Sequence, residues 1–189
     1  GEETVKTICR TAESEKKLHA CIPKQFPSED DTLFINLGDG RFRNMSRDAG
    51  ILLPDGKGLG IVAGDLTGNG AISLFIANDS TANYLFVNQS KPGAPVKFVD
   101  QALTSGLAYN QSGLAQACMG VAVDDVDRNG LIDLFITNFT EEGSILYSQQ
   151  SDGLYEDRTR EAGLFDPTVM ILGFGTQTLD ADLDGWPDL

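Results

Sequence analysis

The chain has 189 residues, 41% of them hydrophobic, enough to bury one ordinary domain core. Twenty-eight acidic residues against fourteen basic ones give a formal net charge of −14, a surface that repels nucleic-acid phosphates and anionic lipid headgroups. No stretch approaches the roughly 18 apolar residues of a membrane helix, and the long apolar runs are foreign to a disordered acidic tail. The acids are expected to collect where cations neutralise them.

Residues 1–31 stand outside the pattern that follows. Gly1-Glu2-Glu3 lacks a signal-peptide pattern, so an exported form would already have lost its leader. The segment is polar and charged, with Val5, Ile8, Ala12 and Leu18 on a weak helical face. It reads as a short helix, a linker or the end of an upstream segment. Cys9 and Cys21 are candidates for a disulfide in an oxidising compartment. A helix would hold them ~18 Å apart at ~1.5 Å per residue, so a bridge requires a bend. His19, the single histidine, is expected on the surface.

From residue 32 the chain repeats. Thr32-Leu-Phe-Ile-Asn36 is a short apolar strand, followed by Gly38-Asp39-Gly40-Arg-Phe42, a hairpin turn with a short aromatic strand. The tail Arg47-Asp-Ala-Gly50-Ile51 closes this unit. Gly58 to Gly64 is then a Gly-rich strand leading into Asp65-Leu-Thr67-Gly-Asn69-Gly70-Ala71-Ile-Ser73 and an apolar strand ending at Asn78. Tyr84-Leu-Phe-Val-Asn88, a longer link from Ser90 to Val96, Phe98 and the tail Ser105-Gly106-Leu107 complete the second round. The third runs from Met119 through Asp125-Val-Asp127-Arg-Asn129-Gly130-Leu131-Ile-Asp133 to Asn138. Ser144-Ile-Leu-Tyr147, Ser151-Asp152-Gly153-Leu-Tyr155 and Arg160-Glu-Ala-Gly163-Leu164 follow it. A fourth opens at Gly173-Phe-Gly and carries Asp180-Ala-Asp182-Leu-Asp184-Gly185-Trp186-Pro-Asp188-Leu189. Cys118 lies alone in an apolar stretch and is expected to be a small buried side chain.

Each unit reads as four short strands, and four-stranded sheets repeated along a chain are propeller blades. The expected fold is therefore all-β: about three antiparallel four-stranded blades of a β-propeller over residues 32–189. A β-sandwich with coincidental similarity is the competing arrangement. Strands such as Ser73 to Ala77 are too apolar to face water, as expected of a sheet covered on both faces.

The three acidic loops carry the chemistry. A hard cation such as Ca²⁺ takes six to eight oxygens at ~2.3–2.6 Å. Side chains at offsets 0, 2 and 4 of a tight loop turn inward, a glycine at offset 5 permits the sharp bend, and a carbonyl at offset 6 and a carboxylate at offset 8 complete the shell. This assigns Asp125, Asp127, Asn129, Leu131 (carbonyl) and Asp133 to one site and Asp180, Asp182, Asp184, Trp186 (carbonyl) and Asp188 to another. Asp65, Thr67, Asn69, Ala71 (carbonyl) and Ser73 offer one carboxylate, and that loop is expected to bind weakly or stay empty. The EF-hand loop shares the first half of this spacing but closes inside a helix. A catalytic metal would want His or Cys ligands and an open position, which these loops lack.

These residues resemble the FG-GAP/VCBS repeats of integrin-α-like propellers. They are most similar to the group that pairs such repeats with an ASPIC/UnbV domain, including cartilage acidic protein-like members. Met119-Gly-Val-Ala-Val, Asp125 through Asp133, Leu-Phe-Ile-Thr-Asn-Phe139 and Asp184-Gly-Trp-Pro-Asp-Leu189 carry the likeness. Thr67, Ser73 and Leu59-Gly60 depart from it. The resemblance implies a roughly seven-bladed propeller, secreted, at the cell surface or periplasmic, with Ca²⁺ in its hairpin loops. The remaining blades of the same propeller would then be partners. The function expected is a non-catalytic scaffold for an extracellular protein or carbohydrate ligand, with Asn78–Asn83 and Phe139–Ser144 as candidate contact loops. An enzyme completed by other blades and a self-assembly module are the alternatives. Five N-x-S/T sequons, at Asn44, Asn78, Asn88, Asn110 and Asn138, matter only in a eukaryotic secretory pathway and are read as chance.

Overall fold

The computed structural model describes residues 10–11, 14–18 and 25–189. Among the described residues the strands pair antiparallel, and the architecture is all-β with three helices of a single turn each. Strands β1 (Arg10–Thr11) and β2 (Ser14–Leu18) pair with each other where a helix or linker was expected. Four scattered apolar residues do not make a stripe wide enough to hold a helix against a core, whereas a hairpin satisfies its own backbone locally. Val5, Ile8, Cys9, Ala12, His19 and Cys21 lie outside the described residues, and so does the disulfide expectation.

The repeating part follows the sequence closely. Strands β3 (Phe34–Asn36) and β4 (Phe42–Asn44) form a two-stranded sheet, and α1 (Ser46–Ala49) follows. Strands β5 (Gly58–Gly64), β6 (Ser73–Asn78), β7 (Tyr84–Asn88) and β8 (Phe98–Asp100) form a four-stranded meander, followed by α2 (Ala102–Ser105). The second meander is β9 (Val121–Asp124), β10 (Asp133–Ile136), β11 (Ile145–Ser151) and β12 (Leu154–Asp157). After it come α3 (Phe165–Thr168) and a single antiparallel bridge between Leu179 and Asp188. Register is shared between the sheets: Leu74 faces Phe86 as Leu134 faces Tyr147, and Phe75 faces Leu85 as Phe135 faces Leu146.

Local chemistry sets the end of each unit. The side chains of Asn44, Asp100 and Asp157 each accept the backbone N–H two residues on, at 3.0, 3.1 and 3.1 Å, and so start a tight turn. A left-handed glycine ends it, Gly50 (φ 83°), Gly106 (φ 81°) or Gly163 (φ 73°), and the next N–H returns to the start of the turn. The tails recognised in the sequence are these capped single turns.

The core lies between units. One apolar layer joins Phe75, Leu85 and Leu107 of the first meander to Leu134, Ile136, Tyr147 and Tyr155 of the second. Another joins Met45, Ala49 and Ile51 to Ile76, Tyr84, Phe86 and Phe98. Strands β6 and β10 are covered on both faces, which is why their sequences lack the polar alternation of a half-exposed strand. Cys118 is a free, buried thiol in the first layer; burial pushes it up to about 12, leaving it a small apolar filler.

Glycine makes the close stacking possible. A Cβ on Gly60 would run into the Met119 carbonyl, and one on Gly120 would run into the Phe174 carbonyl. Gly60, Gly120 and Gly175 hold the same place in successive units, five residues before Asp65, Asp125 and Asp180. A Cβ on Gly175 would meet nothing within 4 Å beyond its own chain neighbours. Gly120→Ala is therefore expected to destabilise the fold by about 1–3 kcal/mol through overpacking, while Gly175→Ala leaves it within about 0.5 kcal/mol. Urea denaturation of both variants checks the contrast.

Candidate metal centres

The three acidic loops share one bonding scheme. The first carboxylate of each accepts two backbone N–H groups across the turn. Asp65 takes those of Asn69 and Gly70 at 3.1 and 2.9 Å, and Asp125 those of Asn129 and Gly130 at 3.0 and 2.9 Å. Asp180 takes those of Asp184 and Gly185 at 3.0 and 2.9 Å. Each turn is left-handed twice, at Gly68, Arg128 or Leu183 (φ 67°, 57°, 63°) and at Gly70, Gly130 or Gly185 (φ 76°, 87°, 88°). A non-glycine residue in this region costs about 1–2 kcal/mol. Arg128 and Leu183 accept that cost in the two acid-rich loops, and the acid-poor loop has Gly68 instead. The Arg128 guanidinium also lies 3.8 Å from the centroid of the Trp186 ring, so the second and third loops touch.

The closing position separates the loops. Asp133 is buried at the start of β10, where Oδ1 accepts the Gln149 N–H at 2.8 Å and Oδ2 the Val126 N–H at 3.0 Å. Asp188 Oδ2 accepts the Ala181 N–H at 2.8 Å in the same sense, from an exposed position. Ser73 replaces the carboxylate in the first loop, and its hydroxyl accepts only the Asn88 N–H, at 3.3 Å.

One carboxylate oxygen each from Asp125, Asp127 and Asp133 lie within 4.8 Å of one another, and so do one each from Asp180, Asp182 and Asp188. The structure thus brings together six of the predicted side chains as two triads. Asp184 is outside its triad and caps the turn, accepting the Trp186 N–H at 2.8 Å. Asn129 does the same for the Leu131 N–H at 2.7 Å, and its oxygen keeps a second lone pair. Asp65, Thr67, Asn69, Ala71 and Ser73 form the same turn with a single carboxylate, and the Thr67 hydroxyl is buried without a hydrogen bond.

The donor set suits a hard divalent cation: three carboxylates in one turn, without imidazole or thiolate. Electrostatics point the same way. Burial raises the Asp133 carboxyl above the usual carboxylate range, the N–H groups of Gln149 and Val126 partly oppose this, and Asp127 adds like-charge repulsion. A cation in the triad would reverse that balance.

Strand β11 adds residues that the sequence reading missed. Gln149, fully buried, donates its N–H to Asp133, and its carbonyl accepts the Asn129 amide at 2.9 Å. Its side chain accepts the Ile132 N–H at 3.2 Å and donates to the Leu66 carbonyl at 3.3 Å. Ser148 Oγ donates to Asp127 at 3.3 Å, and the Tyr155 hydroxyl donates to the same Leu66 carbonyl at 2.9 Å. Leu66 sits in the first acidic loop, so Gln149 ties one unit's carboxylate loop to its neighbour's. A polar strand end at the place of Asn36 and Asn88 was the available signal.

The candidate contact loops are largely used inside the molecule. Asp79 bridges to Ala117, Ser80 N–H reaches the Gln116 carbonyl at 2.9 Å, and Asn83 N–H the Ala108 carbonyl at 3.1 Å. In the second loop Glu142 accepts the Ala117 N–H at 2.7 Å and Ser144 N–H reaches Thr168 at 3.0 Å, leaving Phe139 and Glu141 exposed. Two sequon side chains are buried and bonded, Asn78 to the Ala82 carbonyl and Asn138 to the Gly143 carbonyl, both at 2.7 Å. Among the described residues no helix is long and apolar enough to cross a membrane.

Gln149→Leu leaves the Ile132 N–H without its acceptor and takes one donor from the Leu66 carbonyl. The expected loss is about 1–3 kcal/mol for the stranded donor, with slower loss of protection elsewhere in the sheet. Amide hydrogen exchange at Ile132 and at the Leu66 turn reads it out. No protein-family model matches the chain, and no curated protein matches it in sequence.

Proposed function

We propose that the chain is a segment of a calcium-stabilised β-propeller of the FG-GAP/VCBS type, close to the ASPIC/UnbV group. It serves as a non-catalytic scaffold, secreted, at the cell surface or periplasmic, that presents loops to a protein or carbohydrate ligand. The observation that supports this reading is the recurrence of a carboxylate triad at the same hairpin of successive units, with carboxylate oxygens within 4.8 Å of each other. Two stacked meanders of identical strand order and register support the blade reading. The remaining blades of the same propeller are its nearest partners.

Asp125, Asp127 and Asp133 hold one Ca²⁺ with the Asn129 side chain and Leu131 carbonyl. Asp180, Asp182 and Asp188 hold a second with Asp184 and the Trp186 carbonyl. The ion supplies positive charge and a multidentate cross-link, and no reaction is assigned to it. Asp133 then joins three partners, the Val126 turn, strand β11 through Gln149, and the cation. An ion that binds only the folded form adds RT ln(1+[L]/Kd), about 2.7 kcal/mol at a hundredfold excess over Kd.

Calorimetric titration with calcium is expected to resolve two sites. Asp125→Ala removes one and Asp182→Ala the other, and chelation lowers the urea midpoint of the unaltered chain. Calcium heats that are absent, or unchanged by both substitutions, would remove the basis for this function.

A further inference from the structure

The seam between the two meanders carries a groove lined by none of the acidic-loop residues. Its wider part, about 430 Å³, lies between the turn after α2 and strand β12. Ligand pockets span roughly 300–1,000 Å³, and this cavity falls within that range. Leu103 and Tyr109, 74% and 39% exposed, give it apolar and aromatic surface. A smaller recess of about 40 Å³ shares the wall formed by Asn110, Gln111 and Asp157. Within that wall the Gln111 N–H donates to Asp157 across the seam at 3.0 Å.

Gln116 and Glu142 line the recess. Gln116 is 6% exposed, and its Nε2 donates to the Glu142 carbonyl at 2.9 Å. That bond fixes the orientation of the amide and leaves Oε1 buried without a donor. Beside it the half-buried Glu142 carboxylate accepts the Ala117 N–H with one oxygen, at 2.7 Å, and has no ion pair among the described residues. A buried amide oxygen next to an unpaired carboxylate calls for a donor that is also a cation. A primary ammonium meets both needs, with three donors and no acceptor. Arg160 lines the recess as well, but its guanidinium is held 3.7 Å from the centroid of the Phe165 ring. Across the whole groove Glu142, Glu156, Asp157 and Glu161 outnumber Arg158 and Arg160, and Glu161 takes Arg158 at 2.6 Å. On a chain of net charge −14 such a groove attracts cations.

Stacking of units leaves the groove open. The Gly106 turn already has the next unit packed against it, yet Leu103 and Thr104 remain exposed there. Arg160 and Glu161 hold the same two places one unit on, so a further unit against the Gly163 turn leaves them exposed too.

We propose that this groove docks an extended basic segment of a partner protein. Gln116 Oε1 and Glu142 receive a lysine ammonium, and the apolar residues beside that lysine lie on Leu103 and Tyr109. The proposal deepens the scaffold reading, from which it takes a protein as the ligand, and it does not depend on calcium.

The test is calorimetry on the full chain, with calcium present and two capped pentapeptides as probes. One has a central lysine flanked by leucines, and the other has norleucine in its place. The lysine peptide should bind one-to-one, and the norleucine peptide about tenfold or more weakly, as expected for loss of a charged hydrogen bond. Glu142→Gln keeps an acceptor for the Ala117 N–H and removes the charge, so it should abolish the preference for lysine. Tyr109→Ala, at a partly exposed position, should weaken both peptides alike. Amide NMR shifts need no variant: Gln111 and Ala117 should move with the lysine peptide and not with its norleucine counterpart. The proposal is overturned by equal binding of the two peptides, by saturable binding of neither, by saturation with a neutral oligosaccharide alone, or by a lysine preference that survives in Glu142→Gln. Calcium titration of the same samples separates the two claims. Intact calcium sites without a lysine preference defeat only the docking, and a lysine preference without calcium heats defeats only the calcium scaffold.

Discussion

Three carboxylates held within 4.8 Å of one another dominate the physics of this molecule. At an effective dielectric constant of 20, two unit charges 4 Å apart repel by about 4 kcal/mol, and a backbone that collects them so tightly must supply compensation. Part comes from the chain, because Asp125 and Asp180 each accept two turn N–H groups and Asp133 accepts two more from different segments. N–H dipoles offset partial charge, whereas a divalent cation would offset two of the three negative charges outright. The Asp133 carboxyl is raised chiefly by its burial, with the Asp127 charge adding a smaller push in the same direction.

The loops matter beyond their own hairpins because of how the units meet. Glycines at Gly60 and Gly120 let one unit's backbone sit on the next, and Gln149 and Tyr155 both reach back to the Leu66 carbonyl of the preceding loop. Asp133, Gln149 and Leu66 thus form one chain of hydrogen bonds running from a carboxylate triad across an interface. Tightening the triad fixes β11, and β11 in turn fixes the neighbouring unit. In an array where each unit contacts only its neighbours, stability resides in such interfaces as much as in the units.

Much of this was legible in the residues, and the failures have physical causes. The apolar strands Ser73–Asn78 and Asp133–Ile136, the Asp-Gly turns and the loop spacing appear where the repeat put them. The contrast between Asp133 and Ser73 was readable as well, since one closes its turn with two acceptor oxygens and the other with one hydroxyl. Gln149 showed only as a polar strand end; its bond to the Leu66 carbonyl joins residues far apart in sequence and could not be read from the repeat. That Asp184 Oδ1 also caps its own turn, accepting the Trp186 N–H, is a local bond that spacing alone does not disclose. Before residue 25 the described residues form strands at Arg10–Thr11 and Ser14–Leu18, where the sequence had suggested a short helix, a linker or the end of an upstream segment.

The central claim is that the triads enclose a divalent ion. A long-wavelength anomalous difference map from crystals grown with calcium tests it most directly. The account predicts one peak at Asp125–Asp127–Asp133, one at Asp180–Asp182–Asp188, and none of comparable height at Asp65. A map with no peak at either triad contradicts it.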